Sequence, residues 1–137
     1  MPRIGALLSL SREHHTSLVM ARDARRAANE KDAAAVSMAI ARVEAHWHTL
    51  LAAHFEQEEL LMRIAVETLD PESVARILAE HGELRVLASG PCTLEPAARL
   101  QRFGDLLSAH VRYEERTFFP QLQSHPCIAE ADIDAQV

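Results

Sequence analysis

The chain has 137 residues, of which 48% are hydrophobic and 25% charged, values typical of one globular domain spanning residues 1–137. Its formal net charge of −6 argues against a general nucleic-acid-binding surface, whose usual footprint is a basic patch. Aromatic residues make up only 4% and glycines number 4, while Ala, Leu, Glu and Arg are abundant, so the composition favours helix over sheet.

Signals for membrane insertion or export are weak. No apolar run approaches the roughly 20 residues needed to span a bilayer. Residues 4–10 are apolar but run directly into Arg12 and Glu13, with no convincing cleavage site. Cys92 and Cys127 lie far apart and form no CxxC motif, which favours free thiols. We therefore predict a cytoplasmic protein that does not bind membranes.

Hydrophobic periodicity predicts four long amphipathic helices. The first covers about residues 4–29. The second covers about residues 33–69, with Asp32 as its N-cap. Asp70-Pro71 then predicts a third helix over residues 71–89, because an aspartate cap is followed by proline at the first helical position. Gly90 and the proline after it stop that helix.

A fourth helix is predicted over about residues 94–124, with Thr93 as its cap and Pro96 tolerated within its first turn. The tail from Ile128 to Val137 is expected to form one more short helix or to fray. Four amphipathic helices joined by short connections predict an all-α fold, an antiparallel up-down-up-down four-helix bundle.

A repeated motif carries the main functional signal. His54 precedes Glu58 by four residues, and His110 precedes Glu114 by four residues. On a helix, positions i and i+4 share one face, so each pair can hold one metal ion or bridge to a neighbouring ion. A single buried histidine is more often satisfied by a nearby carboxylate alone. Two such pairs on inward stripes favour a cation, because unpaired buried carboxylates are costly.

The other two helices each offer one inward histidine. His81 lies on the apolar face of the third helix. On the first helix, the pairing of Glu13-His14 with Glu80-His81 favours His14, whereas the His-x-x-Leu spacing favours His15, which we place first. His46, His48 and His125 are expected to face solvent, a helix seam or a turn, and Glu59 and Glu115 are expected to be solvated charges.

The predicted inward set holds four imidazoles and two carboxylates, which are too many for one tetrahedral zinc. Such a set suits two ions bridged by the carboxylates, and mixed N/O ligation fits iron or manganese better than magnesium or calcium. The Glu-x-x-His signature of ferritin-like sites uses i,i+3 spacing in the opposite order and does not match this sequence.

In these residues the chain resembles the hemerythrin-like, cation-binding (HHE) domain family. The motifs that carry the resemblance are Glu13-His14-His15, His54-Phe-Glu-Gln-Glu58-Glu59, Glu80-His81 with Leu84, and His110-Val-Arg-Tyr-Glu114-Glu115 followed by Phe118-Phe119-Pro120. The resemblance implies an antiparallel four-helix bundle with an oxo- or hydroxo-bridged non-haem di-iron centre. It implies as ligands His54, Glu58, His81, His110, Glu114 and one of His14 and His15.

One departure from that family concerns the third helix. Oxygen carriers of the family take two histidines, one turn apart, from this helix, whereas here Ile77 and Arg85 flank a single His81. One iron would then be short of a protein ligand, leaving a position for water or another small species. Arg85 is expected to bring positive charge toward the site or to snorkel to its edge, and Tyr113 to donate a hydrogen bond to a bound oxygen.

The set of four histidines and two glutamates, together with the family resemblance, predicts a non-haem di-iron protein that binds O2 or a related small ligand such as NO or peroxide, in sensing, iron handling or protection. The resemblance implies two iron ions as the cofactor, with manganese or zinc as substitutes. An enzyme with oxidase- or peroxidase-like activity is the alternative and ranks lower, since no nucleophile–base pair is evident. A metal-free helical interaction module ranks last. No nucleic-acid partner is expected, and the sequence does not predict the oligomeric state.

Overall fold

A computed structural model describes residues 5–128 of the chain. Within this range the fold is all-helical, without strands, and contains four long helices. The helix α1 is Gly5–Asn29 and α3 is Pro71–Ser89. The helix α2 runs on through three segments, Ala33–His46, Trp47–Leu51 and Ala52–Ile64, and α4 likewise through Pro96–Tyr113, Glu114–Phe118 and Phe119–Gln123. The predicted start at residue 4 and nearly all of the predicted C-terminal helix lie outside the described residues.

The predicted starts of α2 and α3 and the end of α3 are confirmed by the contacts of their caps. The Asp32 carboxylate accepts a hydrogen bond from the amide of Ala34, and the Asp70 carboxylate accepts one from the amide of Glu72. Gly90 ends α3 with a φ of 71°, a left-handed value that a side chain would disfavour.

Two predicted boundaries are wrong. The helix α2 ends at Ile64 rather than at residue 69, because the amide and hydroxyl of Thr68 both donate to the carbonyl of Ala65 and close a tight turn there. The helix α4 begins at Pro96, so Thr93 is not its cap. The residue before a proline is disfavoured in the helical region, and Glu95 accordingly has a ψ of 147°.

Both α2 and α4 contain one widened π-helical turn, which the sequence pattern did not predict. The amide of Ala52 donates to the carbonyl of Trp47, and the amide of Phe119 donates to that of Glu114, so each bond spans five residues. Pro120 offers a physical reason in α4, since its ring would clash with the carbonyl four residues before it in a regular helix. Such turns often occur at functional sites.

Two apolar clusters fill the interior at different levels of the helices. The first contains Trp47, Leu51, Phe55, Leu100 and Phe103, among other residues. The second contains Leu7, Leu61, Ile77, Phe118 and Leu122, among others. Within residues 5–128, no helix combines the length and apolar character required for a bilayer crossing. Both cysteines have free thiols, as predicted.

Candidate metal centre

Six buried side chains with metal-ligating atoms converge between the two apolar clusters. Their donor atoms form two groups, and within each group all atoms lie within 4.8 Å of one another. One group contains His14, His54, Glu58 and Glu114, and the other contains Glu58, His81, His110 and Glu114. Each helix therefore contributes one imidazole, and both glutamates belong to both groups.

The Glu58 carboxylate links two imidazoles across the centre. Its Oε2 lies 3.0 Å from Nε2 of His54, one turn earlier on α2, and its Oε1 lies 2.9 Å from Nε2 of His81 on α3. His14 on α1 is 3.6 Å from Oε2 through its own Nε2. Each oxygen of Glu58 thus faces a different group of imidazoles, which is the arrangement of a bridging carboxylate.

The Glu114 carboxylate is the counterpart on α4, and it is only partly satisfied. Its Oε1 lies 2.8 Å from Nε2 of His14. Its Oε2 lies 3.3 Å from Nε2 of His110 and 4.0 Å from Nε2 of His81. Among the described residues, Oε2 of Glu114 and Nε2 of His110 are both buried without a hydrogen-bond partner. Buried polar atoms are rarely left so, and a cation between these two would satisfy both.

Four further glutamates, here called the outer glutamates, form a ring around the imidazoles. Each Nδ1 lies 2.6–2.8 Å from a glutamate on an adjacent helix, the four pairs being His54 with Glu13, His81 with Glu59, His110 with Glu80, and His14 with Glu115. The ring is closed: α1 supplies the partner for α2, α2 for α3, α3 for α4, and α4 for α1. A hydrogen bond at Nδ1 fixes the ring plane and turns Nε2 toward the centre, as in carboxylate–histidine–metal arrangements.

The glutamates raise the pKa of three buried histidines, His14, His54 and His110. Burial acts to lower the pKa of His14, but hydrogen bonds to Glu114, Glu115 and Glu58 outweigh it and raise the pKa to about 11. In the absence of metal this imidazole is therefore a cation at neutral pH, held between carboxylates.

The same competition acts on two further histidines. Burial lowers the pKa of His54 and His110, but the charges of Glu58 and Glu114, respectively, lead the opposing effects and raise the values to about 9 and about 10. Burial would also raise the pKa of Glu58, yet the charge of His54 and hydrogen bonds from its imidazole neighbours hold it well below its ordinary range. Protons thus supply the positive charge that the buried carboxylates require.

Aromatic rings cover the centre on two sides. The ring of Phe55 stacks on His81, with centroids 3.9 Å apart and planes 10° from parallel. Phe119 stacks on His14 at 5.0 Å. Phe55 belongs to the first apolar cluster and Phe119 to the second. The imidazoles are consequently fixed by packing as well as by hydrogen bonds, and bulk water is excluded from these faces.

The structure corrects the preference for His15 over His14. His14 is buried in phase with Leu10 and Ser17, whereas His15 is exposed outside the cluster. Successive helical residues are about 100° apart, so only one of two neighbouring histidines can face the centre. The parallel between Glu13-His14 and Glu80-His81 was the better guide.

Arg85 and Tyr113 both lie with their contacts away from the centre, and of the two alternatives for Arg85 the structure contradicts the first. Arg85 is exposed, with its guanidinium carbon 5.6 Å from the centroid of the Trp47 ring, so it brings no charge into the centre. The hydroxyl of Tyr113 lies 2.8 Å from that of Ser73, and Arg76 covers its ring at 3.8 Å. Its bonding is therefore directed to α3 rather than to a group at the centre.

The description of Glu59 and Glu115 as solvated charges is wrong as well. Their rotation of about 140° from His54 and His110 points them at the seam with the next helix, where each accepts a hydrogen bond from a histidine there. Glu13 and Glu80, which precede His14 and His81, likewise each accept a hydrogen bond from a histidine of a neighbouring helix. In the sequence, each of these glutamates lies directly next to a predicted ligand, and this was the available signal. Which histidine each glutamate contacts depends on which helices are neighbours.

The remaining histidines lie outside the centre. His46 is buried at a helix seam, 3.1 Å from the hydroxyl of Ser17, and burial lowers its pKa. His48 is exposed. His125 is buried next to Glu67, with Nε2 and Oε1 2.7 Å apart. None of the three contributes to either group of converging ligands among the described residues.

The donor set fits a pair of transition-metal ions. Each group offers two imidazole nitrogens and carboxylate oxygens from two glutamates, and both glutamates can serve both ions. Mixed nitrogen and oxygen donors suit iron, manganese or zinc, whereas magnesium and calcium prefer oxygen alone. Nε2 of His110 and Oε2 of Glu114 lie buried 3.3 Å apart without a hydrogen bond, which is a further structural sign that a cation fits here.

Comparison of the chain with family models, with curated proteins and with solved structures found no match.

Proposed function

We propose that this chain is a hemerythrin-like protein that binds two iron ions within its helices. The observation that carries the proposal is the pair of buried ligand groups that share Glu58 and Glu114. Two ions bridged by two carboxylates use all six converging residues, whereas one ion would leave some of the buried groups unpaired. The resemblance of the His-x-x-x-Glu-Glu motifs to the HHE family supports the choice of iron over manganese or zinc.

We infer an antiparallel up-down-up-down arrangement of α1 to α4, and the order of the contacts supports it. On α1 and α4, His14 lies against Glu114 while Arg25 lies against Gly104, so the numbering runs in opposite directions. The other neighbours behave alike, with contacts Glu13–His54 and Ser17–His46, Glu59–His81 and Trp47–Arg85, and Glu80–His110 and Leu87–Arg99. This topology is the one implied by the family resemblance.

The protein's own residues would position the ions and isolate them. Four Nε2 atoms face inward because the outer glutamates hold each Nδ1, and Glu58 and Glu114 would be shared by both ions. The stacked rings of Phe55 and Phe119 limit water access. Iron bound here would supply reversible binding of a small ligand such as O2, NO or peroxide. The ligand set provides two histidines for each ion, so both ions would retain positions that the protein does not fill.

Binding of a small ligand, rather than turnover, is the use that the surroundings support best. A catalytic use would be favoured by the expected hydrogen bond from Tyr113 to a bound oxygen, but the Tyr113 hydroxyl lies 2.8 Å from that of Ser73. No observation on the described residues favours a particular substrate. Sensing, iron handling and protection all remain compatible uses of such a centre, and the cytoplasmic location stays a prediction.

The test is the near-ultraviolet absorption of the iron-loaded full chain. A bridged di-iron centre predicts an absorption band that shifts on addition of azide, and the band should be lost in His54→Ala and Glu114→Ala. His48→Ala is the matched control, because His48 is an exposed histidine on the same helix as His54. A metal-free interaction module predicts instead no such band and a melting temperature that neither iron nor chelator changes.

A further inference from the structure

A depression lined by arginines lies on the outside of the seam between α1 and α4. It has a volume of about 340 Å³, and its polar lining comprises His15, Arg22, Arg25, Ser108 and Arg112. The residues from α1 recur at helical spacing and so form one stripe, while Ser108 and Arg112 are one turn apart on α4. No acidic residue lines the depression, although the chain as a whole carries a formal net charge of −6.

Only one of the three guanidinium groups is held firmly by the protein. Nη1 of Arg25 donates to the carbonyl of Gly104 at 2.9 Å and to the hydroxyl of Ser108 at 2.7 Å, and Asp105 lies 3.9 Å away. These bonds fix the position of one cation at the seam. They also link α1 to α4, which gives Arg25 a structural role beside any role in binding.

The other two arginines lack a strong counter-charge. Arg22 is exposed and its nearest carboxylate, that of the adjacent Asp23, is 3.4 Å away, a surface contact of little energetic value. Arg112 has no hydrogen bond or ion pair with any described residue. Like charges that are only weakly neutralised repel, so an anion in the depression would relieve this repulsion.

We propose that this depression binds a small phosphate-bearing anion. Guanidinium groups are suited to this chemistry because their planar forks bind phosphate oxygens in pairs. Leu18 and Val19 complete the lining with apolar surface, so the body of an organic phosphate can pack there while its phosphate faces the arginines. A volume of about 340 Å³ lies within the usual range for a small-molecule site. His15, which is exposed outside the metal centre, would supply a further hydrogen-bond donor to the anion.

The test uses inorganic pyrophosphate as the probe, titrated into the full-length chain by calorimetry. We expect one site per chain, and we expect Arg112→Gln and Arg22→Gln each to weaken binding about tenfold, the loss expected for a charge-assisted hydrogen bond. The matched control is Arg42→Gln, which removes one exposed arginine from α2 outside the depression. His48→Ala should also leave binding unchanged, because His48 is exposed on α2 and does not line the depression.

Three results would overturn the proposal. The first is the absence of binding up to about 1 mM pyrophosphate. The second is equal weakening by Arg42→Gln and Arg112→Gln, since that would indicate a general effect of charge. The third is capture of the chain by vesicles that contain anionic phospholipid without binding of pyrophosphate, because the arginines would then recognise a lipid surface instead.

Discussion

Loading of metal into the centre should expel protons, since imidazolium and metal ion compete for the same nitrogens. The pKa values of His14, His54 and His110 are raised to about 11, 9 and 10 in the metal-free chain, so all three are protonated at pH 7. A metal ion at Nε2 replaces one proton on each ring, while Nδ1 keeps its bond to an outer glutamate. We therefore expect about three protons to be released per chain.

The pH dependence of metal binding follows from the number of protons displaced. When three protons are displaced, the constant for loading both ions rises about a thousandfold for each unit of pH while all three histidines remain protonated without metal. Zinc is a convenient probe because it is redox-inert and suits the same donors. Titration of zinc into weakly buffered, metal-free protein at pH 6.5 to 7.5 with an indicator dye measures the released protons directly.

Substitution of one histidine sharpens the experiment. In His14→Gln the number of protons released should fall by about one, because that imidazole no longer carries a proton for zinc to displace. His48→Gln should behave like the original chain, since His48 is exposed and outside the centre. Release of less than one proton, or an affinity for zinc that does not change with pH, would show that the histidines are not held as cations by the glutamates.

Three further predictions concern stability and the outer ring. The metal-free protein should lose stability as the pH rises from 7 through about 9 to 11, because raised histidine pKa values stabilise the fold most below pH 6.5. Chemical denaturation should show that the free energy of unfolding falls by at most about 4 kcal/mol per pH unit, the slope for three more protons bound in the folded than in the unfolded chain. Glu80→Gln should weaken metal binding about 10- to 100-fold, because Glu80 holds Nδ1 of His110 at 2.7 Å. Gly104→Ala should destabilise the fold by about 1–3 kcal/mol, since a Cβ there would lie 2.7 Å from the carbonyl oxygen of Ala21. Gly82→Ala should instead stabilise the fold by about 0.5–1 kcal/mol, because a Cβ there would have open space and alanine favours helix more than glycine does.

Each of these predictions has a clear contrary result. A stability that stays constant or rises between pH 7 and 10 would contradict the assignment of imidazolium ions in the metal-free centre. Metal affinity in Glu80→Gln equal to that of Glu72→Gln, a surface substitution on the same helix, would mean that the outer glutamate does not orient its histidine. Equal melting temperatures for Gly104→Ala and Gly82→Ala would contradict the close approach of α1 and α4.

The sequence was informative where a single helix determines the outcome. The caps at Asp32 and Asp70 depend on local chemistry and could be predicted, as could the end of α3 at Gly90. The inward direction of His54 and Glu58 follows from a spacing of four residues on one helix. Boundaries failed where a competing turn or a proline intervened, as at Thr68 and Pro96.

Features that depend on neighbouring helices could not be predicted in the same way. Glu59 and Glu115 each directly follow an inward glutamate in the sequence and point away from its face of the helix. Only the packing of the helices brings them to histidines of other helices. The choice between His14 and His15 rests on a difference of about 100° in phase, which the mixed apolar pattern of α1 leaves ambiguous. The π-helical turn Trp47–Leu51 likewise has no local signal, since no proline lies within or directly after it.

The most direct test of a two-metal centre is native mass spectrometry of the full chain loaded with iron. Two iron ions per chain are expected, and Glu58→Ala should reduce this number because it removes a carboxylate common to both ligand groups. Glu56→Ala, an exposed glutamate on the same helix, should retain both ions. A chain that binds no iron, or that binds two ions equally well without Glu58, would contradict a centre bridged by the two buried glutamates.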